Sequence, residues 1–276
     1  MKYCKYLSPS GVPRYAWVER QDGVLYAARP MIAPEEDLAV RLAALEDNSP
    51  EAFTASPLES LSLLPPVTPS KIICVGRNYS EHASEMGNEV PKEPLLFLKP
   101  PSALLGSGQA VRMPALSKRV DYEGELAIVI GKRCRSLGPD EDVRQYIRGY
   151  TVVNDVTARD IQKSDGQWTR GKGWDTFCPV GPVVALQGPG EIDPLGGAPV
   201  TVTTRLNGAV KQNGSTADLI FPIDFLLRYI TAFTTLQPGD LIPTGTPSGV
   251  GPMQPGDTVE VEIGGLGVLR NPVESE

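Results

Sequence analysis

The stretch RVDYEGELAIVIG, residues 119–131, sets two glutamates two positions apart ahead of an apolar run. Its alternation reads as a β-strand, and in a strand residues i and i+2 share a face, roughly 7 Å apart along the chain. Glu123 and Glu125 therefore stand side by side, with Ala127 and Val129 continuing their face and Tyr122, Leu126, Ile128 and Ile130 taking the other. Both faces of the later part are apolar, so the carboxylates open onto the edge of a core. At about 5 Å and an effective dielectric near 20, two such charges repel by about 3 kcal/mol. Water, a basic side chain or a cation must offset that, unless the head of the strand simply emerges into solvent.

The one histidine of the chain lies in GRNYSEHASEMGN, residues 76–88. Asn78 and Glu81 have capping-box spacing, and Gly87-Asn88 supplies a helix stop. On that short helix His82 and Glu85 are i and i+3 and share a face. A carboxylate beside an imidazole orients it and raises its basicity, as a general base requires; the plainer alternative is a surface His–Glu pair. Gly76 and Gly87 bracket the helix, which allows it to move as a lid. In YTVVNDVTARDIQ, residues 150–162, a strand ends at Asn154-Asp155 and a helix follows. Asp155, Arg159 and Gln162, at i, i+4 and i+7, then fall on one helix face. Asp155 is equally placed to be an N-cap, with Arg159 its salt-bridge partner. Lys172, flanked by glycines in QWTRGKGWDTFCPVG, is either an active-site cation or a solvated loop residue. PTGTPSGVG, residues 243–251, offers backbone N–H groups and the Thr246 hydroxyl to a carboxylate, or is a plain turn; without the lysine it is no P-loop.

The elements that must position these residues are mostly strands. The chain has 276 residues, with 28 Gly and 27 Pro dispersed between short apolar runs such as KIICVG, PLLFLK, GELAIVIG, YTVVND, PVGPVVAL and VTVTTRLNG. That texture predicts a β-rich architecture with many turns. Asp22-Gly23 reads as a hairpin turn, the PGD triplets at 238–240 and 255–257 each launch a strand, and Gly264-Gly265 closes another hairpin. Helical patches are few: PEEDLAVRLAALED, residues near 79–86 and 156–164, and DLIFPIDFLLRYITAF. The proline-rich SLLPPVTPSK reads as a linker. It divides a small N-terminal α+β domain, residues 1–66, from a strand-dominated domain, residues 67–276, with a rolled or barrel-like mixed sheet.

Composition excludes several classes. Net charge is −7 and the 26 basic residues form no cluster, which argues against nucleic acid. No apolar stretch approaches membrane-spanning length and the N-terminus lacks the apolar core of a signal peptide. Cys4, Cys74, Cys134 and Cys178 lack metal-type spacing and read as buried thiols of a reduced, cytoplasmic protein.

GRNYSEHASEMGN, EPLLFLKPPSA, DYEGELAIVIG, NDVTARDIQ, GKGWDTFCPVGP and PTGTPSGVG occur in an order and spacing that resemble the fumarylacetoacetate hydrolase family over residues 71–271. The resemblance implies that family's β-roll domain and a homodimer. It makes Glu123, Glu125 and Asp155 ligands of Mg²⁺ or Mn²⁺, with Ca²⁺ an option, and His82 and Glu85 a catalytic dyad on a lid helix. Lys172 joins them as a catalytic, oxyanion-stabilising residue, and Arg159, Gln162, Lys99, Gly245 and Thr246 match substrate-binding positions. The larger eukaryotic hydrolase has a fourth metal carboxylate ahead of the histidine; Val75 occupies that position here and cannot ligate. The chain thus resembles the smaller branch, whose substrates are 2-oxo acids of aromatic or sugar-acid catabolism. The expected activity is cleavage of a C–C bond in a 2,4-dioxo acid of the acylpyruvate or fumarylpyruvate type, through a metal-bound enolate. Alternatives are oxaloacetate decarboxylation or keto–enol tautomerisation at the same site, and, in a different class, a non-catalytic protein with a structural metal.

Overall fold

The computed structural model describes residues 1–46, 52–85, 90–188 and 192–276, with the side chains of 45, 46 and 82–84 outside the description. A long mixed sheet runs, neighbour to neighbour, through Ser56–Pro57, Val24–Met31, Pro13–Gln21, Lys2–Leu7, Cys178–Leu186, Ile147–Asn154, Gly124–Ile130, Leu241–Pro243, Ile72–Gly76 and Leu95–Lys99. Along that path only Leu241–Pro243 and Ile72–Gly76 run parallel; the other pairs are antiparallel. A five-stranded sheet is built on Thr201–Leu206, Thr258–Ile263 and Gly267–Ser275, and a three-stranded one joins Thr157–Ala158, Val120–Tyr122 and Gly251–Pro252. Few helices accompany them, so the β-rich α+β class expected from the turn-punctuated runs is the class observed.

Gly124–Ile130 is buried along its whole length, because it is covered on both faces. Leu126, Ile128 and Ile130 pack with Val261, Ile263 and the helix Ile223–Phe233. Ala127 and Val129 pack on the other side with Ile72, Val153 and Leu241. Each of the Leu, Ile and Val side chains, fully removed from water, contributes about 1.5–3 kcal/mol. Tyr122 departs from this pattern. The chain leaves the main sheet at Glu123, and Tyr122 joins a separate cluster with Val156 and Phe177. Gly124 is required between the glutamates: a Cβ there would stand 2.2 Å from Thr204 Oγ1 and 2.9 Å from Val261 Cγ1. The second sheet therefore presses on the bare backbone of residue 124.

The turns sit where expected. Asp22 and Gly23 both have positive φ, 47° and 86°, and join Pro13–Gln21 to Val24–Met31. Leu241–Pro243 and Thr258–Ile263 follow the PGD turns. SLLPPVTPSK differs from a free linker. Ser62–Leu64 is a strand on Lys2–Leu7, with Leu63 and Val67 buried, because their side chains complete apolar clusters under the N-terminal hairpin. The N-terminal strands themselves continue the main sheet, Lys2 pairing with Ala185. In DLIFPIDFLLRYITAF the helix Ile223–Phe233 buries Ile223, Leu226, Leu227 and Ile230, while Phe225 and Phe233 stay exposed. Among the described residues no helix is long and apolar enough to cross a membrane.

Candidate active site: three carboxylates under a cationic wall

Antiparallel pairing of Gly124–Ile130 with Ile147–Asn154 sets Gly124 opposite Asn154. One step further, Asp155 N–H donates to Glu123 C=O at 2.8 Å. That register brings residues 32 apart in sequence to one spot: Glu123, Glu125 and Asp155 are all buried, each with one carboxylate oxygen within 4.8 Å of the others. At that separation and an effective dielectric near 20, each pair repels by roughly 3 kcal/mol.

Basic side chains offset much of this repulsion. Lys172, nearly fully buried, donates from Nζ to Glu123 Oε2 at 2.7 Å and Asp155 Oδ2 at 2.6 Å. Burial alone would lower its pKa, but the Asp155 and Glu123 charges prevail and hold it above the usual lysine value. Lys99 Nζ donates to Asp155 Oδ1 at 2.5 Å and to Val156 C=O at 3.0 Å. Arg159 splits its guanidinium between Glu123 Oε1, Asp121 Oδ2 and Gln162 Oε1. Glu125 is the exception. It accepts one N–H, from Gly245 at 2.8 Å, and no ion pair reaches it among the described residues. Burial first, then the Asp155 and Glu123 charges, push its pKa well above the usual carboxylate value.

A divalent ion fits this arrangement. The donor set is all carboxylate oxygen, which suits a hard dication of the Mg²⁺, Mn²⁺ or Ca²⁺ kind. Its charge supplies what Glu125 lacks.

The carboxylates form the floor of a cavity of about 290 Å³, whose walls include Arg159, Gln162, Lys172 and Thr246. Gln162 accepts from Arg159, so its amide nitrogen is the end left to donate. Thr246 is buried, donates to Gly124 C=O at 2.8 Å, and receives Gln212 Nε2 at 2.8 Å. Of the other expected substrate contacts, Lys99 donates to Asp155 and to Val156 C=O, and Gly245 N–H donates to Glu125. They are absent from the described cavity wall. Asp155 is not on the helix. The helix begins at Arg159, and the intervening Thr157–Ala158 pairs with Val120–Tyr122, so Arg159 meets Asp121 and Glu123 instead of Asp155.

The short helix expected around His82 is present as Ser80–Glu85. The His82 side chain and the Gly87-Asn88 stop lie outside the described residues. Glu85 accepts Gly249 N–H at 3.1 Å, joining this helix to the 243–251 loop. The Asn78 side chain reaches across to the core. It is fully buried and holds Phe221 N–H, Phe221 C=O and Thr244 C=O, tying the base of the helix to the core.

Two groups escaped the sequence reading. Asp121 continues the period-2 spacing of Glu123 and Glu125, so the signal was present; it is fully buried and anchors Arg159 at 2.8 Å. Gln212 bridges Gly124 N–H and Thr246 from the second sheet, and no local signal marks it.

Residues 71–274 match the family described as Fumarylacetoacetate (FAA) hydrolase C-terminal. The oxaloacetate tautomerase fahd2, mitochondrial, of Xenopus laevis is 42% identical over 224 residues, 78% of this chain and 69% of that protein. The crystal structure of 2-hydroxyhepta-2,4-diene-1,7-dioate isomerase from Mycobacterium marinum superposes with TM-score 0.81 at 40% identity, over 100% of this chain and 99% of that one. Fumarylpyruvate hydrolase from Pseudomonas aeruginosa, in complex with Mn²⁺ and pyruvate, superposes with TM-score 0.69 at 32% identity, over 78% of this chain and 92% of that one. The chain belongs to the fumarylacetoacetate hydrolase family and is an enzyme, in a family of hydrolases, isomerases and tautomerases.

Proposed function

We propose that this enzyme binds a 2-oxo acid over a divalent ion, Mg²⁺ or Mn²⁺, and hydrolyses the C3–C4 bond of a 2,4-dioxo acid to pyruvate and a carboxylic acid. The observation that carries the reading is the cavity floor itself: three buried carboxylates, one without a basic partner, beneath cavity-facing Lys172, Gln162 and Arg159. Glu123, Glu125 and Asp155 hold the ion, which when bound supplies Lewis-acid polarisation of the substrate oxygens. Arg159, fixed by Asp121, and Gln162 orient the 2-oxo acid end. His82, on the Ser80–Glu85 helix, takes a proton from water as its oxygen attacks the C4 carbonyl. Lys172 and the Gln162 amide hold the oxyanion that forms on C4. Collapse of that oxyanion breaks C3–C4, and the bonding pair becomes the enolate of pyruvate, which is protonated at C3.

A second reading keeps the residues and omits the water: proton transfer between C3 and the C2 oxygen of oxaloacetate, which is keto–enol tautomerisation. The relation to an oxaloacetate tautomerase over 78% of the chain favours it. One experiment separates the two. The Mn²⁺-loaded protein is offered acetylpyruvate, fumarylpyruvate and oxaloacetate, and products are identified by NMR. Pyruvate plus the free acid supports hydrolysis; accelerated enol–keto exchange of oxaloacetate without cleavage of the dioxo acids selects the second reading.

The reading includes a homodimer, supported by Phe225 and Phe233, which the helix Ile223–Phe233 leaves 43% and 59% exposed. Light scattering at micromolar concentration tests it, and a stable monomer overturns it.

A further inference from the structure

Beyond the ion-paired floor, the cavity wall carries two more cations, Arg77 and Lys163, and no acid other than the three floor carboxylates. Neither cation has an ion pair among the described residues. Arg77 is held in place. Its φ is +57°, a left-handed conformation that a non-glycine residue adopts only when its surroundings impose it. On one side Asn78 is locked by three hydrogen bonds to Phe221 and Thr244. On the other, Gly76 lies so close to Trp168 that a Cβ would stand 2.8 Å from the indole. The guanidinium carbon sits 5.9 Å from the centre of the Trp168 ring. Trp168 meets Phe97 edge to face at 5.1 Å, and the Lys172 ammonium lies 5.0 Å from the centre of Phe97. Two aromatic rings thus separate an inner cation, Lys172, from an outer one, Arg77. Stacking on an aromatic face pre-organises a guanidinium to meet a carboxylate.

We propose that Arg77, with Lys163 beside it, receives a second carboxylate at the far end of the substrate, so that the pocket selects 2-oxo dioic acids over 2-oxo monoacids. This rests on the 2-oxo acid reading above and narrows its substrate class. The 2-oxo acid end lies on the floor, the carbon chain runs along the Phe97–Trp168 wall, and the distal anion reaches the unpaired guanidinium. Lys163 is exposed and one residue beyond Gln162 on the same helix, so it adds charge at the mouth without fixing geometry.

The test is calorimetric binding of two stable acids of equal length, 2-oxoadipate and 2-oxohexanoate, to the Mn²⁺-loaded protein. Wild type is expected to prefer the dioate by about tenfold to a hundredfold, the value of one charge-assisted hydrogen-bonded contact. Arg77→Gln should bring the ratio close to one, Arg77→Lys should restore part of it, and Lys163→Gln should reduce it by a smaller factor. Equal binding of the two acids by wild type overturns the distal assignment and leaves the 2-oxo acid reading standing. Failure of both acids to bind overturns both together. A ratio retained in folded Arg77→Gln overturns the role of Arg77. If Arg77→Gln does not fold, a ratio in Lys163→Gln equal to wild type overturns the proposal.

Discussion

Two fully buried carboxylates, Asp240 and Glu125, sit on opposite sides of one strand connection and have opposite fates. Asp240, in the turn that launches Leu241–Pro243, is saturated. Its Oδ1 accepts Ser70 N–H, Ser70 Oγ–H and Lys71 N–H, and its Oδ2 accepts Gln237 N–H and the Lys71 ammonium. Glu125, facing the far end of that strand, accepts one backbone N–H and is crowded by two other carboxylates. Burial is common to both. The balance of donors against charge separates a structural anchor from a ligand site.

Chelation gives the widest separation of the two. Exhaustive EDTA treatment should abolish turnover, and Mg²⁺ or Mn²⁺ should restore it and raise the melting temperature in proportion to binding. Full activity in ion-free protein removes the metal role from the Glu125 side altogether.

Next in size is His82→Ala, expected to lower kcat for acylpyruvate hydrolysis by roughly 10²–10⁴-fold. The melting temperature and the ion's affinity should hardly move, since His82 is not a proposed ligand. Glu85→Gln should share most of that loss without adding to it. Oxaloacetate turnover should suffer less, because it needs no attacking water. Unimpaired hydrolysis in His82→Ala would take the imidazole out of the mechanism.

Asp240→Ala attacks the anchor. Leaving the Lys71 ammonium and three N–H groups without their acceptor should cost about 3–5 kcal/mol, read by urea unfolding. The variant that remains folded should keep its response to Mn²⁺. Loss of that response at full occupancy of the native state would show that the two carboxylates are coupled.

The smallest shift, and the sharpest contrast, comes from Glu125→Gln. The amide keeps the shape and the Gly245 N–H bond while removing a carboxyl whose ionisation burial and its two neighbours oppose. The ion-free protein should melt at the wild-type temperature or a few degrees above it, whereas most polar-to-polar changes in a core destabilise. The rise in melting temperature on adding Mn²⁺ should disappear. A large loss of ion-free stability would mean that Glu125, like Asp240, serves the fold.

The shared face of Glu123 and Glu125 was legible in the sequence because strand periodicity is local, and so was the doubly buried run after them. The ordered motifs pointed to the family. What stayed hidden depends on pairs far apart in the chain. Lys99 reaches Asp155 across 56 residues, a pairing no local spacing reveals; only the family resemblance singled the lysine out, as a substrate contact. Asn78 and Glu81 mimic a capping box because short-range spacing cannot reveal that Phe221 and Thr244 claim the Asn78 amide. The helical alignment of Asp155 with Arg159 failed for a similar reason: Thr157–Ala158 is drawn into a strand by Val120–Tyr122, delaying the helix. SLLPPVTPSK looked like a linker by composition, and its strand exists only because Lys2–Leu7 lies ready to pair with it.

The pairing of Lys2 with Ala185 bears on how the molecule is made. A ribosome delivers the first strand long before its neighbour, and at 5–20 residues per second the wait is on the order of ten seconds. Through that interval the strand has its hairpin partner along one edge and only Ser62–Leu64 on the other. The carboxylate floor waits longer still, because Gly245, which holds Glu125, emerges after all three carboxylates. The loop of residues 243–251 is therefore a late arrival in biosynthesis, and a nascent chain stalled before residue 245 holds all three carboxylates without the N–H that Glu125 accepts.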